Sequence, residues 1–173
     1  MKITHSEWKE IRRVFGTSFK SSLHFAVATV DKQGQPNVAP IASLLLDRKE
    51  PRGCYFEIFT RQTRQNLAAH DRVCILAVNS RLGFWTASLV RGRFSQWPAI
   101  RLYGRTVGRR PATKAEIARW RKRTRFLRFT RGYASLWGKL EFVRDIEFDR
   151  YEPVHLGATT SHLRREATPS TST

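Results

Sequence analysis

The stretch Cys54-Tyr55-Phe56-Glu57-Ile58-Phe59-Thr60-Arg61-Gln62-Thr63-Arg64-Gln65-Asn66-Leu67 reads as a strand running straight into the first turn of a helix. Phe56 and Ile58 alternate with polar or borderline neighbours, the two-residue period of a strand. Leu67-Ala68-Ala69-His70 favours helix, and Asp71 and Arg72 close a turn before the apolar run Val73 to Val78. A helix start presents unpaired backbone N–H groups and the positive end of the aligned peptide dipoles. Arg61 and Arg64, with the hydroxyls of Thr60 and Thr63, add charge and donors to that end. The junction is therefore expected to hold an anion, phosphate above all.

Working outward, the chain alternates strands with a few helices. Thr4-His5-Ser6-Glu7 has capping-box spacing, and Trp8, Ile11 and Phe15 follow at helical intervals, which predicts a short amphipathic helix ending near Gly16. Ser22 to Val30 is a strand by its β-branched and aromatic content. Asp31 to Pro36 supplies a turn, with Gly34 suited to positive φ. Asn37 to Leu46 returns as a second strand; Pro40 inside it lacks a ladder donor, so this part lies at an edge, at a bulge or facing a ligand. The Cys54 strand is the third, and Val73 to Asn79 the fourth.

Ser80 to Pro98 has no clean period. It interleaves Phe84, Trp85, Phe94 and Trp97 with Arg81, Arg91 and Arg93, and is expected to be an aromatic loop packed against the body or a partner subunit. Ala99 to Val107 alternates as a fifth strand. A helix is predicted over 113–131, opened by Thr113 and Glu116 in capping-box positions and packed through Ile117, Trp120 and Leu127. Glu116 is the only acid from Lys114 to Arg131, so this helix is held by its apolar stripe rather than by surface pairs. Leu140 to Tyr151 forms the last strand, with Arg144 interrupting its apolar face as an inward-pointing charge. The Ala, Thr, Ser, His and Arg composition of 158–173 predicts a disordered tail, leaving one domain over 1–157.

A chain of 173 residues, 40% hydrophobic and 12% aromatic, suffices for one cored domain. No apolar run approaches the roughly 18–20 residues that cross a bilayer, and Met1-Lys2-Ile3-Thr4-His5 lacks the apolar segment of a secretory signal. A soluble, cytoplasmic protein with no membrane partner is expected. Cys54 and Cys74 sit in apolar strands and read as buried, reduced thiols. His5, His24, His70, His155 and His162 show no metal-ligand spacing, so no metal site is expected. Thirty-two basic against 14 acidic residues give a net charge of +18, which draws anionic ligands or polyanions such as nucleic acid. The basic helix and the aromatic–arginine stretch are the surfaces that would serve a polyanion.

The ordered set Phe25 to Asp31, Gly34 to Ile41, Phe59 to Leu67 and Asp71 to Cys74 resembles the pyridoxamine 5′-phosphate oxidase-like family, over roughly Leu23 to Gly104. That resemblance implies a mainly β fold with peripheral helices, the flavin mononucleotide (FMN)-binding split β-barrel. It also implies a homodimer holding one flavin in each of two inter-subunit clefts. The second strand would then pass the isoalloxazine ring, with Pro40, Ile41 and Ser43 at its polar edge, while Thr60, Arg61, Thr63 and Arg64 take the phosphate. The partner subunit would contribute Trp85, Arg101 and Arg105. An FMN-dependent oxidoreductase is the implied activity, with no catalytic side chain assigned. A deazaflavin or haem, both used by relatives, and a non-enzymatic polyanion-binding role are the alternatives, and His162 is the histidine that could reach a haem. Two departures stand out. Asn37 to Leu46 contains no basic residue where better-known oxidases carry them, and Arg150-Tyr151-Glu152-Pro153 does not reproduce their pyridoxal-holding arginine and histidine. The vitamin B6 oxidase itself is therefore not implied.

Overall fold

The computed structural model describes residues 3–166, with only the backbone of 164–166. Seven strands form one antiparallel sheet: β1 (Phe25–Val30), β2 (Pro36–Ile41), β3 (Leu45–Leu46), β4 (Arg52–Phe56), β5 (Arg72–Val78), β6 (Ala99–Pro111) and β7 (Phe142–Pro153). Their spatial order is β2-β1-β5-β6-β7-β4-β3. The helices are α1 (His5–Ser22), α2 (Arg61–Ala69), α3 (Leu82–Arg91), α4 (Lys114–Arg123), α5 (Arg131–Trp137) and α6 (Ser161–Glu166). No helix among the described residues is long and apolar enough to cross a membrane.

The expected split β-barrel does not form; this is an α+β fold on an open sheet. What reads as one long second strand breaks after Ile41, and its two halves pair at opposite edges, β2 on β1 and β3 on β4. No ladder joins the edges. The outer side of β2 is a poor template for closure, because Pro36 and Pro40 share the parity of Val38 and have no N–H to give. The buried Ser43 fixes the break: its hydroxyl donates to the Phe56 carbonyl at 3.0 Å and accepts the Phe56 N–H at 3.1 Å.

One face of the sheet carries the core. Phe25 and Val27 of β1, Val73, Ile75 and Ala77 of β5, Ile100 and Leu102 of β6, and Ile146 and Phe148 of β7 are buried on it. A bulge between Tyr103 and Gly104 keeps the long β6–β7 pair in register with this face. A Cβ at Gly104 would meet the Glu147 carbonyl oxygen at 2.3 Å, so only glycine admits that approach. At the β1–β2 turn Gly34 takes φ +83°, as its sequence position implies, while Asp31 accepts the amides of Gln33 and Gln35.

Several boundaries differ from the sequence reading. The N-terminal helix runs past Gly16 to Ser22, because Phe19 continues the buried stripe of Trp8, Ile11 and Phe15; Leu23 ends it at φ +63°. The Thr4–Glu7 capping box is present. The aromatic stretch is not a loop: α3 puts Phe84, Trp85 and Ser88 inward, against Phe94, and leaves Leu82, Leu89 and Val90 exposed. Apolar residues on both faces hid its period. The basic helix over 113–131 breaks after Arg123 into a 3-10 turn (Arg125–Leu127) and α5, where Thr124 donates its hydroxyl back to the Trp120 carbonyl. Residues 158–166, expected to be disordered, form a 3-10 turn and α6; Phe94 N–H donates to the Thr159 carbonyl and Leu163 is buried. The rest of that tail, 167–173, lies outside the described residues.

Candidate functional site

The strand-to-helix junction is formed as expected, and its geometry selects among the expected residues. Phe59 turns the chain at φ +54°, a left-handed conformation costly for an aromatic residue, and leaves its ring 82% exposed. Thr60 occupies the N-cap of α2 without capping it: its hydroxyl makes no bond to a first-turn amide. No acid lies in that first turn. Thr60 and Thr63 are buried, whereas Arg61 and Arg64 are exposed. Neither arginine has an ion pair among the described residues. The junction thus presents two unpaired guanidinium groups and an uncapped set of helix amides to one region of solvent, a donor set suited to phosphate.

A polar relay, buried at Asn66 and Thr29, anchors this helix to the sheet. Gln62 Nε2 donates to Asn66 Oδ1 at 2.9 Å, and Asn66 Nδ2 donates to Thr29 Oγ1 at 3.0 Å. Thr29 pairs across β1–β2 with Asn37, whose Nδ2 is buried without an acceptor. Phe59, the Gln62–Asn66–Thr29 relay and Asn37 were not singled out by any local pattern. Only the strand-breaking position of Phe59 carried any signal; the relay joins residues 37 apart.

The other expected site residues are dispersed. Pro40 is exposed on the face of β2 away from the core, while Ile41 is buried and Ser43 is engaged with Phe56. Trp85 donates its indole N–H to the Asn79 carbonyl at 2.6 Å. Arg105 pairs with Glu147 at 3.1 Å. Arg101 is exposed on β6, opposite Leu76 and Glu152. His162 Nε2 lies 2.8 Å from the Phe94 carbonyl.

Cys54, Glu116 and Asp145 place potential ligand atoms within 4.8 Å of one another. Arg110 already fills that cluster, donating to Glu116 at 2.6 and 3.0 Å and to Asp145 at 2.7 and 2.9 Å. The Arg110 bonds hold the Glu116 carboxyl down at about 2, and burial pushes the Cys54 thiol up to about 12, with the Glu116 charge adding to it. This is a structural ion cluster capped by an inert thiol.

A family model described as pyridoxamine 5′-phosphate oxidase matches residues 15–152. The chain belongs to the pyridoxamine 5′-phosphate oxidase family. Among solved structures, an FMN-binding protein from Syntrophomonas wolfei superposes with a TM-score of 0.56 at 18% identity, covering 87% of this chain and 94% of that one. HupZ from Group A Streptococcus gives 0.54 at 21% identity, covering 86% and 96%. An F420 reductase gives 0.53 at 14% identity, covering 80% and 95%. At these identities the likeness is one of fold. A search of curated proteins finds no match. In this member of the pyridoxamine 5′-phosphate oxidase family, the start of α2 carries two exposed arginines and no acid in its first turn.

Proposed function

We propose that this protein binds a phosphorylated flavin-type cofactor, FMN or a deazaflavin, and serves as an oxidoreductase of the pyridoxamine 5′-phosphate oxidase family. The observation that carries the reading is the pair of exposed, carboxylate-free arginines, Arg61 and Arg64, at the uncapped start of α2. The FMN-binding protein and the F420 reductase with the same fold support that class of ligand. Arg61, Arg64 and the first-turn amides would hold the phosphate, with the buried Thr60 and Thr63 shaping the turn beneath. Asn37 Nδ2, buried and without an acceptor, is a further donor beside the same helix anchor. The exposed ring of Phe59 and the Pro36–Val38–Pro40 face of β2 would offer flat apolar contact to a ring system. Bound there, the cofactor's ring supplies the electron chemistry; the chain orients it and sets the charge around it.

We further propose a homodimer formed through the sheet face opposite the core. Val30, Val38, Pro36 and Pro40 are exposed there beside the alanines of β1. In that arrangement Arg101 of the second subunit, which has no ion pair among the described residues, is a cation available to the cofactor, since Arg105 and the Trp85 N–H are engaged within their own chain.

Purified protein is expected to take up added FMN or F420, read by flavin fluorescence quenching. The Arg61→Ala, Arg64→Ala double variant should weaken that uptake roughly 100-fold, the scale of two lost charge-assisted bonds. Protein that takes up neither cofactor, yet binds single-stranded DNA with steep salt dependence, would replace this reading with a polyanion-binding one.

A further inference from the structure

A second site lies where the sheet fails to close. A cavity of about 800 Å³ is bounded by α1, the start of β1, the segment leading into β3, and α4. Its volume falls within the range of small-molecule sites. No residue of α2 lines it, so it is separate from the phosphate-binding junction. Phe15, Phe19, Phe25, Leu44 and Phe126 make its wall predominantly apolar.

Set into that wall are four cations, Arg12, Lys20, Arg119 and Arg123, and not one acidic side chain. Arg119 and Arg123 are one helical turn apart on α4 and share a face. Each arginine spends a donor on a neutral carbonyl: Arg119 on Leu46 at 2.5 Å, Arg123 on Leu44 at 2.7 Å, Arg12 on Arg48 at 2.7 Å. Arg123 also lies 3.5 Å over the Phe19 ring. None of the three has an ion pair among the described residues. Burial, with Arg119 nearby, pulls the Arg123 guanidinium down to about 10, so it stays charged at neutral pH. The Asp47 carboxylate acts on the exposed Arg119 from outside the cavity wall, whereas the half-buried Arg123 has only Arg119 acting on its charge. Such a cation is costly until an anion joins it, and an apolar wall beside it selects what else that anion carries.

We propose that this cavity binds an amphipathic organic anion, a carboxylate on an apolar body, with the head between Arg119 and Arg123 and the body against Phe15, Phe19 and Phe25. A guanidinium pair recognises the two oxygens of a carboxylate in its own plane. The apolar wall then discriminates against small polar acids.

Isothermal titration of the full-length chain with dodecanoate and with dodecanol, as a head-group control, tests this. Saturable binding of one dodecanoate per chain is expected, at least tenfold tighter than dodecanol. Arg119→Gln with Arg123→Gln should remove that preference. Because Arg123 also supports α4, Gly16→Leu supplies a second, structurally mild test. Gly16 lines the cavity, and a Cβ there has nothing within 4 Å, so leucine would fill the space from a helical position that favours it. Gly16→Leu is expected to abolish dodecanoate binding while leaving FMN uptake intact and the unfolding midpoint no lower than the parent's. Equal binding of alcohol and acid, non-saturable uptake, or unchanged binding in Gly16→Leu would overturn the proposal. Loss of dodecanoate binding in the Arg61→Ala, Arg64→Ala variant would overturn its independence from the phosphate site.

Discussion

Glu57 shows how residue-scale electrostatics fix this fold. Its side chain is only 2% exposed, and its two oxygens accept from Arg144 at 2.7 Å and Arg109 at 2.8 Å. Arg144 is itself largely buried, so removing the carboxylate strands a cation. Glu57→Ala is expected to lower unfolding free energy by about 3–5 kcal/mol in urea titrations. Glu57→Met with Arg144→Met should recover much of that loss. The sequence exposed Arg144 as an inward charge on an apolar strand, but not its partner, which lies 87 residues away. Cys54 is a second residue-scale case. Burial first, and the neighbouring Glu116 charge next, push its thiol up to about 12, while burial also raises Cys74. Cys54 in the folded protein should resist iodoacetamide at pH 8 and react rapidly once unfolded, as mass spectrometry of the labelled chain would read.

At the scale of the element, Glu116 joins local and long-range design. It completes the capping box of α4 with Thr113 and takes the Arg110 guanidinium, which also clamps Asp145 of β7. Its carboxyl is held at about 2, below the ordinary 4.5. A depressed carboxylate stabilises the fold fully above its unfolded value; that contribution drains away as pH falls from about 4.5 to about 2. Glu116→Gln should therefore cost about 2 kcal/mol at pH 7, and the gap from the parent should close progressively below pH 4.5 in thermal melts. The capping box was legible because it is a three-residue spacing. The Arg110–Asp145 clamp was not, because it depends on how β6 and β7 are registered. The same distinction explains α3. Its helical period was masked by exposed Leu82, Leu89 and Val90, and only packing of Phe84 and Trp85 against Phe94 distinguishes its two faces.

For the whole molecule, the decisive feature is an open sheet whose edges are joined by the short Ala42–Leu44 segment and no ladder. The face away from the core carries Val38, 66% exposed, among other apolar residues of β1 and β2. With a second copy covering that face, Val38→Asp should convert a dimer to a monomer in light scattering and weaken cofactor uptake with it. A parent protein that is already monomeric would remove the dimer from the proposed function. The charge of +18 also takes on a location: part of it lines the α1–α4 cavity and part flanks the start of α2.

Sequence alone determined what local chemistry determines. The capping boxes at Thr4 and Thr113, the Gly34 turn, the strand alternation and the Thr60–Arg64 junction all rest on spacings of a few residues. Family membership was legible too, as an ordered series of such segments. Tertiary structure alone decided that the Pro40 strand splits between two edges, so that no barrel closes. It also decided that Thr60 and Thr63 turn inward while Arg61 and Arg64 stay free, and that Arg119 and Arg123 face an apolar cavity without an acid. Each of these depends on which distant backbone happens to lie alongside, and no periodicity within a single segment encodes that.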